Sequence, residues 1–440
     1  MEKVTVIGLG YVGLPLSLVL WDAGFEVFGL DVREDYIKQV ESGTVVMAES
    51  FKGKPIQDVL KEAVASGRYH PTTDPDKALG YEKQQIIMTV GIPLSDNKAD
   101  TTMLEGALST LAPRLKRGAL VIARSTLIVG YTRNFIARRI YDLTSLCSRV
   151  DYHLAFSSER MAEGAAFEEL VGMTTPVAGI TPEATEAAAT LLERMGIKNV
   201  VRASCPEAVE TAKVFENIAR DVNIALANEY ANFCAAYNLD TREVLDLVRT
   251  HKRVGFLHQP GPGVGGHCLP QAMHYLKPTA DGIGAVLPVI ETARQANIEQ
   301  PVHIAEIAII WVKKNAVPNP KVAILGLAMK DFSTDARWSP AVDIARRISQ
   351  EQDIELVVWD PLVDRSHIDI NLNFADSLEE AVKDACVVIT GARQLPFPEG
   401  GENADIKLLS GMKKTGLVID SRFAFDRDEA IEASYEYIAL

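Results

Sequence analysis

Cysteine is scarce in this chain and follows no pattern. The 440 residues contain only five, at positions 147, 205, 234, 268 and 386. An odd number at irregular spacings excludes the disulfide framework of a small secreted domain, so we expect free thiols and a cytoplasmic protein. Long apolar runs are also lacking. The apolar opening from Val4 to Leu20 has one basic flank and three internal glycines, which predicts neither a signal peptide nor a membrane span.

Positive charge is in short supply. Lysine and arginine total 45 against 59 acidic residues, a formal net charge of −14. This balance argues against nucleic acid as a main partner, because phosphate backbones require a basic surface. His251, His258 and His267 lie near one another without cysteines or acids at metal-ligand spacing, so we predict no metal site. The composition is otherwise that of a globular protein, and the length predicts two or three domains.

Strand and helix signals alternate at both ends of the chain. A buried strand at 4–8 leads into a helix and then a second strand that ends at Asp31, and a similar series begins after Pro318. Between them, residues 208–237 carry apolar side chains at helical spacing without glycine or proline. The pattern predicts the α/β class, with two Rossmann-like doubly wound domains joined by a long-helix central domain. We place the domains at 1–200, 201–310 and 311–440.

A glycine-rich turn follows the first strand. It consists of Gly8, Leu9, Gly10, Tyr11, Val12 and Gly13. The glycines permit a tight turn, close approach to a pyrophosphate and close packing of the following helix. Asp31 comes 18 residues after Gly13 and can bond a ribose hydroxyl, which favours NAD, whereas Arg33 leaves NADP open. The alternative is a turn of the same shape that binds no cofactor.

A loop rich in glycine and proline precedes Cys268. Residues 259–266 read Gln-Pro-Gly-Pro-Gly-Val-Gly-Gly, and such tightly turned backbone can direct N–H groups toward an anion. On the predicted long helix, Lys213 and Asn217 are four apart and share one face, where they can stabilise an oxyanion or a thiolate. Alone, a packing cysteine and a solvated lysine are the simpler interpretations. Combined with a dinucleotide site, they favour Cys268 as a nucleophile.

The sequence resembles the UDP-sugar dehydrogenase family, the UDP-glucose/GDP-mannose dehydrogenases, along nearly its whole length. The matching motifs, in chain order, are GLGYVG at 8–13, Ser125-Thr126, Ser158-Glu159-Arg160, Glu210 through Lys213 to Asn217, Arg220-Asp-Val-Asn-Ile, Asn228-Glu229, the Cys268 loop, and Lys330 with Asp335, Arg337, Ser339 and Pro340. Arg253-Val, and histidine instead of serine before Cys268, are similar to the branch that acts on UDP-N-acetylhexosamines. UDP-N-acetylmannosamine is the expected sugar.

The resemblance implies an NAD-dependent, four-electron oxidation of the sugar's C6 alcohol to a carboxylate, through a thiohemiacetal and a thioester on Cys268. It implies that Lys213 and Asn217 stabilise the oxyanion, and that Thr126 and Glu159 position water. Ser125 and Thr126 are also expected to contact NAD. The expected substrate contacts are Glu159, Arg160, Lys213, Asn217, Arg253, Gly263, Gly266, His267, Lys330 and Arg337. Arg253 is expected to reach the substrate of a neighbouring subunit, which implies a homodimer or larger oligomer.

The chain departs from the family pattern at three places. Ala272 stands where an aspartate is common four residues after the nucleophile, Ser158 and Glu163 replace prolines near Glu159, and Ile92 replaces a threonine. These departures leave alternatives open. One is the same chemistry on UDP-glucose, UDP-galactose or UDP-N-acetylglucosamine, and another is arrest at the aldehyde. A third is a catalytically impaired paralogue that only binds a nucleotide sugar.

Overall fold

The described part of the chain divides into two units. A computed structural model describes residues 1–47, 49–95, 98–161, 164–254, 256–266 and 268–440. The first unit comprises Met1–Glu216 and His274–Ala285, and the second comprises Asn217–Met273 and Val286–Leu440. The chain therefore passes from the first unit to the second, returns to the first at His274–Ala285, and ends in the second.

The first unit is built on an eight-stranded sheet. Its strands are β1 (Lys3–Ile7), β2 (Glu26–Leu30), β5 (Tyr69–Thr72), β6 (Gln85–Met88), β9 (Leu120–Ala123), β10 (His153–Ser157), β11 (Thr175–Gly179) and β12 (Val200–Arg202). Their order is β12-β11-β10-β9-β6-β1-β2-β5, and only β10 and β11 pair antiparallel. The six strands from β5 to β10 follow the common order of dinucleotide-binding sheets, which reverses between β1 and β6. Two short hairpins lie outside this sheet: β3 (Ser50–Phe51) with β4 (Lys54–Pro55), and β7 (Leu94–Ser95) with β8 (Lys98–Ala99).

Helices accompany the strands of this sheet. They are α1 (Gly13–Asp22), α2 (Glu34–Ser42), α3 (Ile56–Ala65), α4 (Pro75–Leu79), α5 (Thr102–Leu111), α6 (Arg138–Thr144), α7 (Ala166–Gly172) and α8 (Pro182–Arg194). A 3-10 turn at Ala112–Arg114 follows α5, and a π-helical turn at Thr132–Ala137 leads into α6. Helix α1 is apolar on almost every side and is buried from Gly13 to Leu20. It packs with α3, α8 and the sheet into one hydrophobic core.

Four helices connect the two ends of the chain. They are α9 (Pro206–Ala236), α10 (Thr241–Arg249), α11 (Cys268–Gly282) and α12 (Pro288–Lys314). Helix α9 has 31 residues, so the predicted long helix is confirmed to within two residues at each end. Residues 259–266 form a loop, as predicted. Helix α11, which begins at Cys268 itself, was not predicted from the sequence.

The C-terminal part of the second unit carries a five-stranded parallel sheet. Its strands are β13 (Lys321–Leu325), β14 (Glu355–Trp359), β15 (Val387–Thr390), β16 (Leu417–Asp420) and β17 (Glu436–Ala439). The accompanying helices are α13 (Pro340–Ile348), α14 (Leu378–Val382) and α15 (Arg427–Glu432), with 3-10 turns at Arg365–His367 and Ile406–Leu409. The order β14-β13-β15-β16-β17 is a second doubly wound arrangement, which reverses between β13 and β15. The predicted α/β class with two Rossmann-like sheets and long helices between them is confirmed.

Candidate functional site

The glycine turn after β1 has the geometry of a pyrophosphate cradle. Gly8 adopts φ +90°, and its N–H donates to the Leu30 carbonyl at 2.8 Å. A Cβ on Gly13 would lie 1.8 Å from the Gly8 oxygen, so only glycine fits there. A Cβ on Gly10 would meet nothing among the described residues within 4 Å, which leaves the backbone open to a ligand. Because Val12 contributes no side-chain cap to α1, the first N–H groups of that helix can face an anion.

Asp31 stands at the end of β2, where a ribose is expected. Its Oδ2 accepts from the Leu9 N–H at 2.9 Å, and its Oδ1 accepts from the N–H and Nε of Arg33, each at 3.1 Å. Burial raises the pKa of Asp31, but the hydrogen bonds from Arg33 and Leu9 outweigh it, so the pKa lies below its ordinary value. The side chain is therefore an anion at neutral pH. An anion accepts hydrogen bonds from ribose hydroxyls and repels a 2′-phosphate, so these residues fit NAD.

Tyr11 links the glycine turn to a second loop of the same unit. Its hydroxyl donates to Glu49, and the Gly164 N–H lies 3.2 Å from the same hydroxyl. Glu49 is buried and also accepts from the N–H groups of Gly164 and Ala166, at 2.6 and 3.0 Å. The loop after Arg160 is thereby attached to the turn that carries the cofactor motif.

Ser125, Thr126 and Glu159 lie at the edge of the sheet that also holds the glycine turn. Ser125 and Thr126 follow β9, and Glu159 follows β10. Because β1, β6, β9 and β10 run parallel, their carboxyl ends share one edge. The first unit therefore gathers three of the predicted motifs, although the glycine turn is more than a hundred residues from the other two in sequence.

Glu159 and Arg160 are both engaged by neighbouring groups. Glu159 accepts from the Arg124 Nε at 3.0 Å and from the N–H groups of Arg160 and Met161 at 2.6 and 2.7 Å. Arg160 forms an ion pair with Glu216 on α9. In this structure the Arg160 side chain pairs with a residue of α9, and its contact with the substrate remains a prediction.

Glu210 belongs to one of the matching motifs, but no role was predicted for it. Glu210 is 1% exposed, and its carboxylate accepts from Gly130 N–H at 2.6 Å, Thr132 N–H at 2.9 Å and Thr132 Oγ1 at 2.5 Å. Burial raises the pKa of Glu210 despite these hydrogen bonds. The contacts fasten α9 to the segment that follows Ser125 and Thr126. A signal was present, since Glu210, Lys213 and Asn217 are spaced three and four apart and share one helix face.

In the second unit, α9 holds the cysteine loop through a series of asparagines. Asn217 is buried, and its Nδ2 donates to the Cys268 carbonyl at 3.2 Å. Farther along, Asn223 accepts from the His258 N–H at 2.5 Å, and Asn228 accepts from the Gly261 N–H at 2.8 Å. Amide side chains thus fix the loop along its length, and Asn217 holds the backbone of the predicted nucleophile.

Cys268 is exposed and is the first residue of the 15-residue helix α11. Gly263 and Gly266 precede it with φ of +130° and +76°, conformations that side chains rarely adopt. Unpaired N–H groups at a helix N-terminus stabilise negative charge on a thiolate. His267 lies outside the described residues, so its predicted substrate contact is untested.

The cysteine loop packs against the segment that follows β13. A Cβ on Gly265 would lie 2.7 Å from Pro340 Cδ, and one on Gly266 would lie 2.7 Å from Met329 Sδ. That segment also carries Lys330 and Arg337. Arg337 donates through Nε to Asp335 at 2.9 Å. Within the second unit, the predicted nucleophile and the predicted nucleotide-binding residues therefore belong to neighbouring segments.

Arginines line a cavity of about 380 Å³ beside the same loop. Its lining includes Arg242, Arg249, Arg393, Arg422, Asp331 and Gln259. Arg422 pairs with Asp331 at 2.7 Å, and its Nη1 would lie 3.3 Å from a Cβ on Gly261. Arg422 was not predicted as a site residue, because an arginine that follows a strand belongs to no recognisable sequence motif.

Three further positions that the sequence singled out differ in their exposure to solvent. Lys213 is half-buried on α9, and the Arg253 side chain is exposed. Ala272 is 1% exposed, so the place of the usual aspartate is filled by a buried methyl group.

Among the described residues, no group of three histidine, cysteine, aspartate or glutamate side chains could hold a metal ion. Nor does any helix in the described ranges have the length and apolarity to cross a bilayer.

A dinucleotide cradle, an acid at the ribose position and an exposed cysteine on a glycine loop define an NAD-dependent oxidoreductase. Comparison with known proteins gives the family. The NAD binding domain of the UDP-glucose/GDP-mannose dehydrogenase family matches residues 2–195, its central domain residues 207–299, and its UDP binding domain residues 323–427. The chain belongs to this family.

Similar proteins act on N-acetylated sugars by name. A UDP-N-acetyl-D-mannosamine dehydrogenase of Pyrococcus horikoshii is 35% identical over 393 residues, covering 88% of this chain and 89% of the relative. An NDP-N-acetyl-D-galactosaminuronic acid dehydrogenase of Ralstonia nicotianae is 33% identical over 374 residues, covering 82% and 83%. Among solved structures, the UDP-D-ManNAc dehydrogenase of P. horikoshii superposes with a TM-score of 0.87 at 30% identity, over 99% of both chains.

Proposed function

We propose that this dehydrogenase oxidises the C6 alcohol of a UDP-N-acetylhexosamine, with UDP-N-acetylmannosamine as the first candidate, to the uronic acid through covalent bonds to Cys268. The observation that carries the proposal is the exposed Cys268 thiol at the first position of α11, with its carbonyl held by Asn217 at 3.2 Å. The names of the relatives support the choice of sugar, and the intact dinucleotide cradle supports the redox chemistry.

The chain's own residues supply the covalent chemistry. Two NAD molecules, bound one after the other at the glycine turn, Asp31, Ser125 and Thr126, would each accept one hydride. The Cys268 thiolate adds to the carbon of the C6 aldehyde to form a thiohemiacetal, and oxidation converts this into a thioester. Attack by water on the thioester carbon then breaks the C–S bond, releases the carboxylate and returns a proton to sulfur.

Other side chains stabilise and orient these species. Lys213 and Asn217 stabilise the oxyanion, and Thr126 and Glu159 position water. Lys330 and Arg337 bind the nucleotide end, for which the planar fork of Arg337 suits a diphosphate. The complete set of proposed substrate contacts is Glu159, Arg160, Lys213, Asn217, Arg253, Gly263, Gly266, His267, Lys330 and Arg337.

A comparison of sugars tests the substrate. Initial rates with saturating NAD would be measured for UDP-N-acetylmannosamine, UDP-N-acetylglucosamine and UDP-glucose, with products identified by mass. We expect the highest kcat/KM for UDP-N-acetylmannosamine and a product with one new carboxylate. We expect Cys268→Ser to form no uronic acid. A clear preference for UDP-glucose would contradict the assignment, as would full activity of Cys268→Ser.

Ala272 supports a second candidate function. The aspartate usual in the family is absent, and the position is buried, so solvent does not replace its charge. If thioester hydrolysis or proton transfer depends on that carboxylate, the protein would stop early or only bind nucleotide sugars. Binding of UDP-N-acetylmannosamine without any NADH would favour this alternative. Restored turnover in Ala272→Asp would identify the missing group.

A homodimer is part of the proposal. Apolar side chains are spaced four, three and four apart along the last turns of α9 and the residue after it: Leu226, Tyr230, Phe233 and Tyr237. Phe233 is 65% exposed and Tyr237 is 71% exposed, and the two rings stack at 6.0 Å. An exposed stripe at helical spacing suits the same stripe of a second copy. Arg253 would then contribute to the substrate site of the partner.

Light scattering of the native chain and of Phe233→Glu tests the dimer. We expect the native mass to be twice that of the chain, and the variant to be a monomer with little activity, because Arg253 no longer reaches a second site. Val150→Glu, at an 82% exposed position of the first unit, is the matched control. A fully active monomeric variant would contradict the role of Arg253.

The remaining assignments follow from sequence and family. We propose a cytoplasmic location, which the scattered free cysteines support. We also propose the functional division into a cofactor domain at 1–200, a central domain at 201–310 and a nucleotide-sugar domain at 311–440. A chain truncated after residue 200 should bind NAD if the first of these boundaries is correct.

A further inference from the structure

The largest fully buried side chain of the described residues is a charged one, Arg124. It directly follows β9 and precedes Ser125, and it is 1% exposed. Its backbone N–H donates to the Met88 carbonyl at 2.8 Å, so the main chain is already held by β6. A buried guanidinium requires partners for its N–H groups, because an unpaired buried charge is strongly unfavourable.

Those partners lie on the neighbouring strand. Arg124 Nε donates to Glu159 Oε2 at 3.0 Å, and Nη1 donates to Ser157 Oγ at 3.0 Å. The opposite oxygen of Glu159 accepts from the N–H groups of Arg160 and Met161. Three N–H donors therefore hold the Glu159 carboxylate, which is only 8% exposed.

A purely structural role explains this arrangement poorly. Strands β9 and β10 already pair in parallel, with Ala123 opposite Phe156, so the sheet holds the two chain segments together. Buried ion pairs often add no stability compared with apolar residues of the same volume. The pair is also placed at the carboxyl edge of the sheet, between Ser125 and Arg160, where the family motifs meet.

We propose that Arg124 is a positioning residue for thioester hydrolysis, because it holds the Glu159 carboxylate in the orientation that directs the attacking water. This inference rests on the proposed function. Glu159 accepts a hydrogen bond from the water, and its three N–H donors keep the carboxylate in place. As the water oxygen bonds to the thioester carbon, the C–S bond breaks. One proton passes to the Cys268 sulfur, and the other leaves to solvent as the carboxylate forms.

The test separates hydrolysis from oxidation. Four proteins would be mixed with NAD and UDP-N-acetylmannosamine: the native chain, Arg124→Lys, Arg124→Met and Arg202→Met. Each reaction would be quenched at intervals, and the mass of the intact protein would be measured by mass spectrometry. Arg202 is the matched control, an arginine on β12 of the same sheet that pairs with Glu186 and Glu193 at the surface. For Arg124→Met we expect an unchanged first burst of NADH and a Cys268 thioester as the main species. Steady turnover should be about 100-fold lower and KM should fall with it, because slower hydrolysis leaves kcat/KM unchanged. Arg124→Lys should recover part of the turnover, and Arg202→Met should match the native chain.

A double variant keeps the test decisive if Arg124→Met folds poorly. Arg124→Met with Glu159→Gln removes both charges, so we expect it to regain thermal stability while hydrolysis stays slow. Native turnover in this double variant would overturn the inference. So would an Arg124→Met enzyme that slows the burst as much as the steady state, or that accumulates no thioester. Absence of NADH from the native chain would instead refute the proposed function.

Discussion

The two Rossmann-like sheets place an aspartate at the same point and use it differently. Asp31 follows β2 and Asp360 follows β14, and each accepts from the residue after the turn glycine, at 2.9 Å from Leu9 and 2.7 Å from Leu327. The other partners of Asp31 belong to Arg33, whose long side chain can turn away. Asp360 is held by further donors from Ala328, Leu362, Val363 and the Gln394 side chain.

The distance in sequence from glycine to helix also differs. Helix α1 begins at Gly13, five residues after Gly8, whereas α13 begins at Pro340, fourteen residues after Gly326. A helix that starts directly at the turn offers its N–H groups to a pyrophosphate. The long segment after Gly326 instead carries Lys330 and Arg337 and packs against the cysteine loop. The same sheet design thus binds one ligand through backbone and another, we expect, through side chains.

The largest expected effect would come from adding a methyl group at either turn. In Gly13→Ala the new Cβ would meet the Gly8 oxygen at 1.8 Å, and in Gly391→Ala it would meet the Gly326 oxygen at 2.4 Å. Because a shift of about 1 Å can cost about 100-fold, we expect Gly13→Ala to lose at least that much NAD affinity and to keep UDP affinity. Gly391→Ala should do the reverse. Calorimetric titration of each variant with NAD and UDP separately would show whether the two turns serve different ligands.

Neutralising the two aspartates should separate binding from stability. Asp360→Asn places an amide against four backbone N–H donors, so we expect a loss of about 2–3 kcal/mol in the free energy of unfolding with unchanged NAD affinity. Asp31→Asn should weaken NAD binding about 10-fold and change stability by less than about 1 kcal/mol. Urea unfolding and NAD titration of both variants would check this. Equal effects on stability would mean that Asp31 is also structural.

The smallest effect concerns a turn that both units share, in which an arginine pairs with the aspartate two residues earlier. Burial raises the pKa of Asp31 and of Asp335, yet hydrogen bonds from Arg33 and Arg337 leave both below their ordinary value. A lowered folded-state pKa adds stability above the unfolded pKa of about 3.9, and this is lost as pH falls through the folded value.

Arg33→Met and Arg337→Met should therefore each flatten the decline of the melting temperature between about pH 5 and pH 3. Since both arginines are half exposed, we expect at most about 1 kcal/mol from either. Thermal melts over this pH range, against the native chain, would measure it. A decline as steep as that of the native chain would show that these pairs contribute nothing.

Regular patterns in the sequence predicted most of the fold. The buried apolar run at 4–8 located β1, the strand ending at Asp31 located β2, and the absence of glycine and proline from 208–237 located α9. Strand β11, which pairs antiparallel with β10, was not predicted because Thr175–Gly179 contains proline and glycine and lacks an extended apolar run. Helix α11 was not predicted, because it directly follows the glycine loop and contains Pro278. Its start is decided by tertiary contacts and not by local propensity.

The candidate site was only partly predictable. Motifs identified Cys268, Lys213, Asn217 and the glycine turn because their chemistry depends on residue type. Arg124 and Arg422 were not selected, since charged residues are usually exposed and the sequence does not show which of them lose solvent and gain a charged partner. Such partners become visible only when strands distant in sequence are placed side by side.

The most direct test of the central claim is the number of NADH molecules formed per sugar. Native chain would be incubated to completion with a limiting amount of UDP-N-acetylmannosamine and excess NAD, and the absorbance of NADH compared with the sugar consumed. We predict two NADH per sugar and no free aldehyde, because Cys268 retains the intermediate between the two oxidations. One NADH per sugar with aldehyde released would contradict the account.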